Sequence, residues 1–205
     1  MDEIYQHLDS HDKVIGIYLD LQKAFDTIDH HVLLYKMYRI GIRGVVYKWF
    51  QDYLYDRKQF VTVKNMNSDI CTLTCGVPQG SVLGPLLFLL YVNDIANSVP
   101  DTPVKLYADD TNLFIYDKSL QNLVKHAEVC LSKLVRWFTA NKLTLSIDKT
   151  CYSVFGVTNS VKNNVKLNID CTEVLQVEST KYLGIIIDSK LTWEEHIDYI
   201  YKKSY

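Results

Sequence analysis

The sequence predicts an α+β fold, an antiparallel sheet backed by helices. Three observations predict it. The run Val14-Ile15-Gly16-Ile17-Tyr18-Leu19 has the β-branched and aromatic content of a buried strand. Leu120, Leu123, Val124, Ala127, Leu131, Leu134, Val135 and Phe138 recur at helical spacing and draw one apolar stripe down a long helix. The order of elements is strand, helix, helix, hairpin, helix, hairpin, helix, which suits a sheet with helices packed on it.

Residues 2–9 read as the end of a helix, followed by a strand over 13–20 and a turn at Ala24-Phe25-Asp26-Thr27. Asp29 can cap a helix that runs to about Tyr38 and stops near Gly41. Val45, Val46, Trp49, Phe50, Tyr53 and Leu54 mark a second helix over about 45–56. Strands over about 59–64 and 70–75 flank the turn Asn65-Met66-Asn67-Ser68 as a hairpin. Gly76-Val77-Pro78-Gln79-Gly80 is a loop, and it leads into a helix over about 82–97 that is apolar almost all round near its middle and so belongs under a sheet, in the core. Ser119 can cap the long helix. Short strands follow at about 151–155, 165–169, 173–177 and 181–187, and Thr192-Trp193-Glu194-Glu195 reads as a capping box.

With 205 residues, 48% of them hydrophobic and 22% charged, the chain has enough apolar surface for a core. The apolar stretch Leu86 to Val92 is far too short to span a bilayer, and residues 1–12 are polar and acidic, unlike an export signal. The expectation is an intracellular protein with no membrane contact, and the oligomeric state is undetermined at this level. The five cysteines (Cys71, Cys75, Cys130, Cys151, Cys171) show no zinc-finger spacing and read as free thiols, with Cys71 and Cys75 buried on one face of a strand. The net charge is −2, but it is unevenly spread. Residues 36–64 and 118–149 are rich in Lys and Arg, while the acids concentrate in residues 1–29. Local basic surface beside a local acidic site suits an enzyme that handles phosphates.

The acidic site itself is legible. In Tyr107-Ala108-Asp109-Asp110, two adjacent carboxylates sit at the tip of a tight hairpin, where like charges repel unless a divalent cation neutralises them. Asp20 closes the strand 13–20 and shares a face with Gly16 and Tyr18. A strand ending in Asp beside a hairpin turning on Asp-Asp gathers three carboxylates at one edge of a sheet. Two magnesium ions about 3.5–4 Å apart, held by such a set, could activate an attacking oxygen and stabilise a leaving one in phosphoryl transfer.

Five blocks in order resemble the reverse transcriptases of non-LTR retrotransposons: Leu19-Asp20-Leu21-Gln22-Lys23-Ala24-Phe25-Asp26, then Cys75 through Pro85 around Pro78-Gln79-Gly80, then Tyr107-Ala108-Asp109-Asp110, then Asn141-Lys142-Leu143 through Lys149-Thr150, then Tyr182-Leu183-Gly184. The resemblance covers essentially the whole chain. It implies a polymerase palm, with residues 1–155 as the palm proper and 156–205 as primer-grip strands and the start of a thumb connection. It implies RNA-templated DNA synthesis by nucleotidyl transfer to a primer 3′-hydroxyl, with an RNA template, a DNA primer and deoxynucleoside triphosphates as partners. Asp20, Asp109, Asp110 and the backbone carbonyl of Leu21 would hold two Mg2+ ions, with Mn2+ as an alternative. Lys149 would act on the pyrophosphate. Ala24, Phe25, Pro78, Gln79 and Gly80 would meet the nucleotide, with Phe25 as a steric gate against a 2′-hydroxyl. Tyr107, Leu183 and Gly184 would meet the primer.

The resemblance also implies that fingers and thumb are largely absent from these residues. Positioning can account for roughly 7–11 kcal/mol of a barrier, so the chain by itself is expected to extend primers little. A second reading is a catalytically silent retrotransposon remnant with at most weak nucleic-acid binding. A third is another two-metal phosphoryl transferase, such as a nuclease or cyclase, which Pro78-Gln79-Gly80 and Phe25 argue against. The mobile-element reading puts the protein in the cytoplasm or nucleus.

Overall fold

A computed structural model describes residues 1–158 and 165–204. In chain order the elements are α1 (Asp2–Asp9), β1 (Lys13–Leu19), α2 (His30–Arg39), α3 (Gly44–Leu54), β2 (Arg57–Gln59), β3 (Thr62–Val63), β4 (Met66–Asn67), β5 (Cys71–Leu73), α4 (Leu83–Val92), β6 (Val104–Tyr107), β7 (Asp110–Asp117), α5 (Leu120–Ala140), β8 (Cys151–Phe155), β9 (Asn168–Ile169), β10 (Thr172–Glu173), β11 (Leu175–Gln176), β12 (Ser179–Tyr182), β13 (Ile185–Asp188) and α6 (Glu194–Lys203). A turn of 3-10 helix spans Ile95–Ser98. The chain forms two compact units, one of Met1–Asp20, Ala96–Arg136 and Leu145–Tyr205, the other of Leu21–Ile95 and Trp137–Thr144.

The first unit is built on a five-stranded sheet in the order β11-β8-β1-β7-β6. Every neighbouring pair is antiparallel except β11 with β8. β1 lies at the centre because both of its faces are apolar. On one face Val14 and Tyr18 join Phe114, Phe155, Ile4 of α1 and Ile187 of β13 in a buried cluster. On the other, Ile15, Ile17 and Leu19 are buried, as are their cross-strand neighbours Leu113, Ile115, Tyr152 and Val154. Gly16 lets the rings pack closely between them. A Cβ there would come within 3.1 Å of the Phe114 ring and of Tyr18 Oη. The apolar stripe of α5 is buried as its spacing predicts, at Leu123, Ala127, Leu131, Leu134 and Phe138.

The second unit holds α2, α3, the hairpin strands β2 to β5, and α4. Asp29 caps α2 as the sequence predicts, its carboxylate accepting from Val32 N at 2.9 Å. Lys142 reaches the other Asp29 oxygen at 2.6 Å. Tyr91 of α4 donates its hydroxyl to Asn141 O at 2.6 Å, and burial pushes that phenol up to about 12, so it stays protonated. Lys36 of α2 donates to Tyr91 O and to Asp94, both at 2.6 Å, with its ammonium over the Trp137 ring.

Several local expectations are corrected. The hairpin over 59–75 turns at Lys64-Asn65, both at positive φ, and not at 65–68. The residue numbers of each pair sum to 130 in β2–β5 and to 129 in β3–β4, so the strands slip by one residue at a bulge where Ser68 N donates to Val61 O. Cys71 and Cys75 are exposed, Cys71 in the three-residue strand β5 and Cys75 beyond its end, in an isolated bridge to Asp29. The helix over 82–97 is shorter, since the α-helix ends at Val92, and it is not buried all round: Leu86 and Leu89 are half exposed. The strand over 181–187 is the hairpin β12–β13, because Leu183 and Gly184 both adopt positive φ and fold the chain back. The strands over 165–169 and 173–177 are shorter pieces, β9, β10 and β11. Thr192 does not cap α6. Trp193 takes the N-cap position at φ +66, and Asp188 accepts from the backbone N–H groups of Lys190, Thr192 and Trp193 instead.

Burial works to raise the Asp29 pKa, but the Lys142 ammonium and the Val32 N–H hold it below the ordinary carboxylate value. A depressed pKa contributes stability that is present above the ordinary value and is lost as pH falls through the folded one. Asp29→Ala should therefore cost about 1 kcal/mol in urea unfolding at pH 7. The difference from wild type should shrink once the pH drops below the carboxylate range.

Candidate active site

The register of the central sheet builds the site. β1 pairs with β7 through Tyr18↔Asn112 and Leu19↔Thr111, so the next step brings Asp20 level with Asp110. β1 pairs with β8 through Ile17↔Tyr152 and Tyr18↔Cys151, and Lys149, in the turn just before β8, brings its Nζ to 3.5 Å from Asp20 Oδ2. The ends of three neighbouring strands thus gather Lys149, Asp20 and Asp110 at one edge of the sheet. The period of two puts Tyr18, Asn112 and Cys151 one row behind them on the same face. These six residues line one cavity of about 130 Å3 with Leu19 and with Thr180, Lys181 and Tyr182 of β12.

The backbone of Asp20 is held from the loop before β8. Ser146 N donates to Asp20 O at 2.8 Å, and Asp20 N donates to Thr150 Oγ1 at 3.4 Å. Its Oδ2 is buried without a hydrogen-bond partner, although Lys149 Nζ stands 3.5 Å away. At 3.5 Å an ammonium is an electrostatic neighbour and not a good hydrogen-bond donor. Lys149 is 73% exposed, so this pair adds little stability.

Asp109 and Asp110 occupy the β6–β7 hairpin. Tyr107 pairs with Asp110, leaving Ala108 and Asp109 as a two-residue turn. Ala108 sits at φ +52, where glycine is the usual occupant, at a cost of order 1 kcal/mol. Burial, then Asp109, then Asp20 raise the Asp110 pKa above the ordinary carboxylate value.

The expected three-carboxylate cluster is only partly assembled. Asp20 and Asp110 meet in the cavity, while Asp109 lies outside its lining at the exposed tip. Among the described residues, no three His, Cys, Asp or Glu side chains are grouped closely enough to hold an ion. Unscreened carboxylates repel, and adjacent residues entering a strand point to opposite faces. The residues nevertheless fit a hard divalent cation. The donors are carboxylate oxygens, one buried Asp20 oxygen lacks a hydrogen bond, and Asp110 is destabilised in its charged form by its acidic neighbours.

The other predicted residues fall in two places. Leu183 and Gly184 form the turn of β12–β13, the hairpin whose Thr180, Lys181 and Tyr182 line the cavity, and Tyr107 is exposed at the end of β6. Leu21, Ala24, Phe25, Pro78, Gln79 and Gly80 belong to the second unit. There Val77 N donates to Phe25 O at 2.8 Å, tying the loop to the turn after Asp20, and the Phe25 ring packs 4.8 Å from that of Phe88. Gln79 Nε2 donates to Asp26 Oδ1 at 3.1 Å, and Gly80 takes φ +81 in open space. A Cβ on Gly76 would lie 2.8 Å from Asp26 O, so only glycine lets the loop approach that turn. His30 Nε2 lies 2.7 Å from Gly76 O and fixes the same loop. Leu21 and Ala24 are buried, so Leu21 offers chemistry only through its backbone.

Sequence reasoning missed Ser146 and Thr150, which hold Asp20, and Asn112, which lines the cavity. The position of Asn112, polar and two residues after Asp110 in an apolar strand, was the available signal.

Together the sheet and its paired carboxylates define a protein of polymerase-palm type. A profile described as "Reverse transcriptase (RNA-dependent DNA polymerase)" matches residues 3–187, and the chain belongs to the reverse transcriptase family. It is 30% identical over 197 residues to the RNA-directed DNA polymerase from mobile element jockey of Drosophila melanogaster, covering 93% of this chain and 21% of that one. It is 28% identical to the probable RNA-directed DNA polymerase from transposon BS of the same organism, covering 98% and 23%. The chain therefore spans about a fifth of the length of these relatives. Among solved structures, apo telomerase from Candida tropicalis, truncated from its C-terminal domain, superposes with a TM-score of 0.63 at 12% identity, covering 94% of this chain and 38% of that one. Telomerase from Candida albicans gives a TM-score of 0.61 at 14% identity, covering 93% and 32%. These superpositions establish the shared fold. The non-LTR retrotransposon type read from the motifs agrees with the relatives.

A carboxylate with a raised pKa favours the folded state when protonated, so its contribution falls as pH rises through the folded pKa. Asp110→Asn should accordingly raise the thermal midpoint of the metal-free protein at pH 7. The gain should vanish below the carboxylate range; thermal melts at both pH values measure it.

Proposed function

We propose that this chain is the palm of an RNA-templated DNA polymerase of a retrotransposon, transferring nucleotides from deoxynucleoside triphosphates to a DNA primer 3′-hydroxyl. The observation that carries the reading is the register that brings Asp20 and Asp110 together in one cavity beside Lys149. Membership of the reverse transcriptase family supports it.

In this reading Asp20 and Asp110, with Asp109 and the Leu21 carbonyl, hold two divalent ions, Mg2+ or Mn2+. Bound there, such ions supply the positive charge that lowers the pKa of the attacking hydroxyl and stabilises the leaving pyrophosphate. Asp20 is the rigid donor, since Ser146 and Thr150 fix its backbone. Asp109 and Asp110 ride on a hairpin tip and can adjust. Lys149 carries an exposed ammonium on a flexible stem. It can leave Asp20 for the pyrophosphate and offer it charge or a proton. Phe25 acts as the flat gate under the sugar, with Ala24, Pro78, Gln79 and Gly80 against the nucleotide, and Tyr107, Leu183 and Gly184 meet the primer end; these roles rest on their motifs. The reading puts the protein inside the cell, in the cytoplasm or nucleus.

The test uses this chain joined to the flanking polymerase segments of the jockey enzyme. RNA-templated primer extension with Mg2+ is expected. Asp20→Asn or Asp110→Asn should lower it by at least about 10²–10³-fold, the scale set by loss of one electrostatic stabiliser. An Asp110→Asn protein with wild-type extension would refute the assignment. In the same assay Phe25→Ala should raise ribonucleotide incorporation, and an unchanged sugar preference removes the gate role.

A further inference from the structure

Among the described residues, the buried side-chain atoms without hydrogen-bond partners are Tyr18 Oη, Asp20 Oδ2 and Asn112 Nδ2, and these residues line the same cavity of about 130 Å3. Buried polar groups are nearly always satisfied, so the orphaned Asp20 and Asn112 atoms, on residues that line one space, point to a ligand in it. The space exceeds the roughly 30 Å3 that a water molecule occupies in the liquid, and its lining is polar enough to hold one.

The two oxygens of Asp20 are not equivalent. Its side chain is 35% exposed, yet Oδ2 is buried, so the exposure belongs to the rest of the group. Oδ1 is the oxygen open to solvent, and Oδ2 turns inward. Lys149 is a poor permanent partner for Oδ2, being 3.5 Å away and mostly in solvent. Asn112 is the better candidate. It is 2% exposed, stands opposite Tyr18 in the register, and lies one row behind the Asp20–Asp110 level on the same face. That diagonal separation, about 7–8 Å between backbones, is too long for direct contact of short side chains and suits one intervening water. Tyr18 Oη lies over Gly16, farther back along β1, so the Tyr18 ring and not its hydroxyl borders this space.

We infer that the cavity is a water site in which Asn112 Nδ2 donates to a bound water that in turn donates to Asp20 Oδ2. Asn112 is then a positioning residue. It keeps one Asp20 oxygen facing inward and so leaves the other aimed outward at the cation. This rests on the cation-binding reading of Asp20, and it adds a residue that acts on that carboxylate from behind. Partners of this kind around a metal ligand typically change metal affinity by about 10–100-fold when removed.

Two measurements test it. A crystal structure of the chain that resolves ordered water should show one within hydrogen-bond distance of both Asn112 Nδ2 and Asp20 Oδ2. A dry cavity, or an Asp20 with both oxygens turned outward, would overturn the proposal whatever the metal does. Titration with Mn2+ followed by electron paramagnetic resonance should show binding that Asp20→Asn abolishes, with about tenfold weaker binding in Asn112→Leu. Asn112→Ser, which keeps a donor, should recover most of the affinity, and Tyr18→Phe should lose less than Asn112→Leu. Wild-type affinity in Asn112→Leu beside lost affinity in Asp20→Asn overturns the positioning role. If Asp20→Asn leaves Mn2+ binding untouched, the cation reading fails, and the crystallographic result alone decides for or against the water site.

Discussion

Cross-strand register is the constraint on which the site depends. β1 is hydrogen-bonded on both edges, to β7 and to β8, and both of its faces are buried. A slip of one residue would exchange those faces and put Val14 and Tyr18 in the layer that fits Ile15 and Ile17. The hydrophobic pattern therefore locks the strands, and the lock fixes which residues are level at the end of the sheet. Asp20, Asp110 and Lys149 are brought together by packing several residues away from them, with no attraction of their own between the two carboxylates.

This arrangement stores electrostatic and conformational strain around the Asp20–Asp110 cavity. Asp110 is raised in pKa by burial and by its acidic neighbours, and Ala108 holds a backbone conformation that suits glycine. Both costs are local. They are tolerated because the strands behind them are tightly packed and because the Asp20 backbone is bonded to Ser146 and Thr150. Strain of this sort is a recurrent feature of functional sites.

The second unit has a different character. It carries nine Lys and Arg against six Asp and no Glu, a formal charge of +3, whereas the whole chain is −2. Lys36 and Lys142 are spent on internal bonds to Asp94 and Asp29. Others, among them Arg39, Lys58 and Lys64, are exposed and give the unit its basic surface. Its loop from Gly76 to Gly80 is held by hydrogen bonds from His30 and to Phe25 and Ile28, so the exposed Gln79 rests on a fixed support.

The α+β class, the central strand, the Asp29 cap, the long amphipathic helix and the identity of the acidic residues were legible in the residues alone. Each is a local property: a period, a cap residue or a run of β-formers read within a few neighbours. Hairpin details escaped it, because positive φ at Lys64, Leu183 and Trp193 is an adaptation of ordinary residues that carries no compositional mark. The exposure of Cys71 and Cys75 escaped it for a similar reason, since burial depends on what packs over a strand and not on the strand itself. Folding alone sets Asp20 level with Asp110 and near Lys149, keeps Asp109 outside their cavity and stands Asn112 behind them. Those facts depend on pairing between segments some 90 to 130 residues apart in the chain, and no local pattern encodes a register over such a distance.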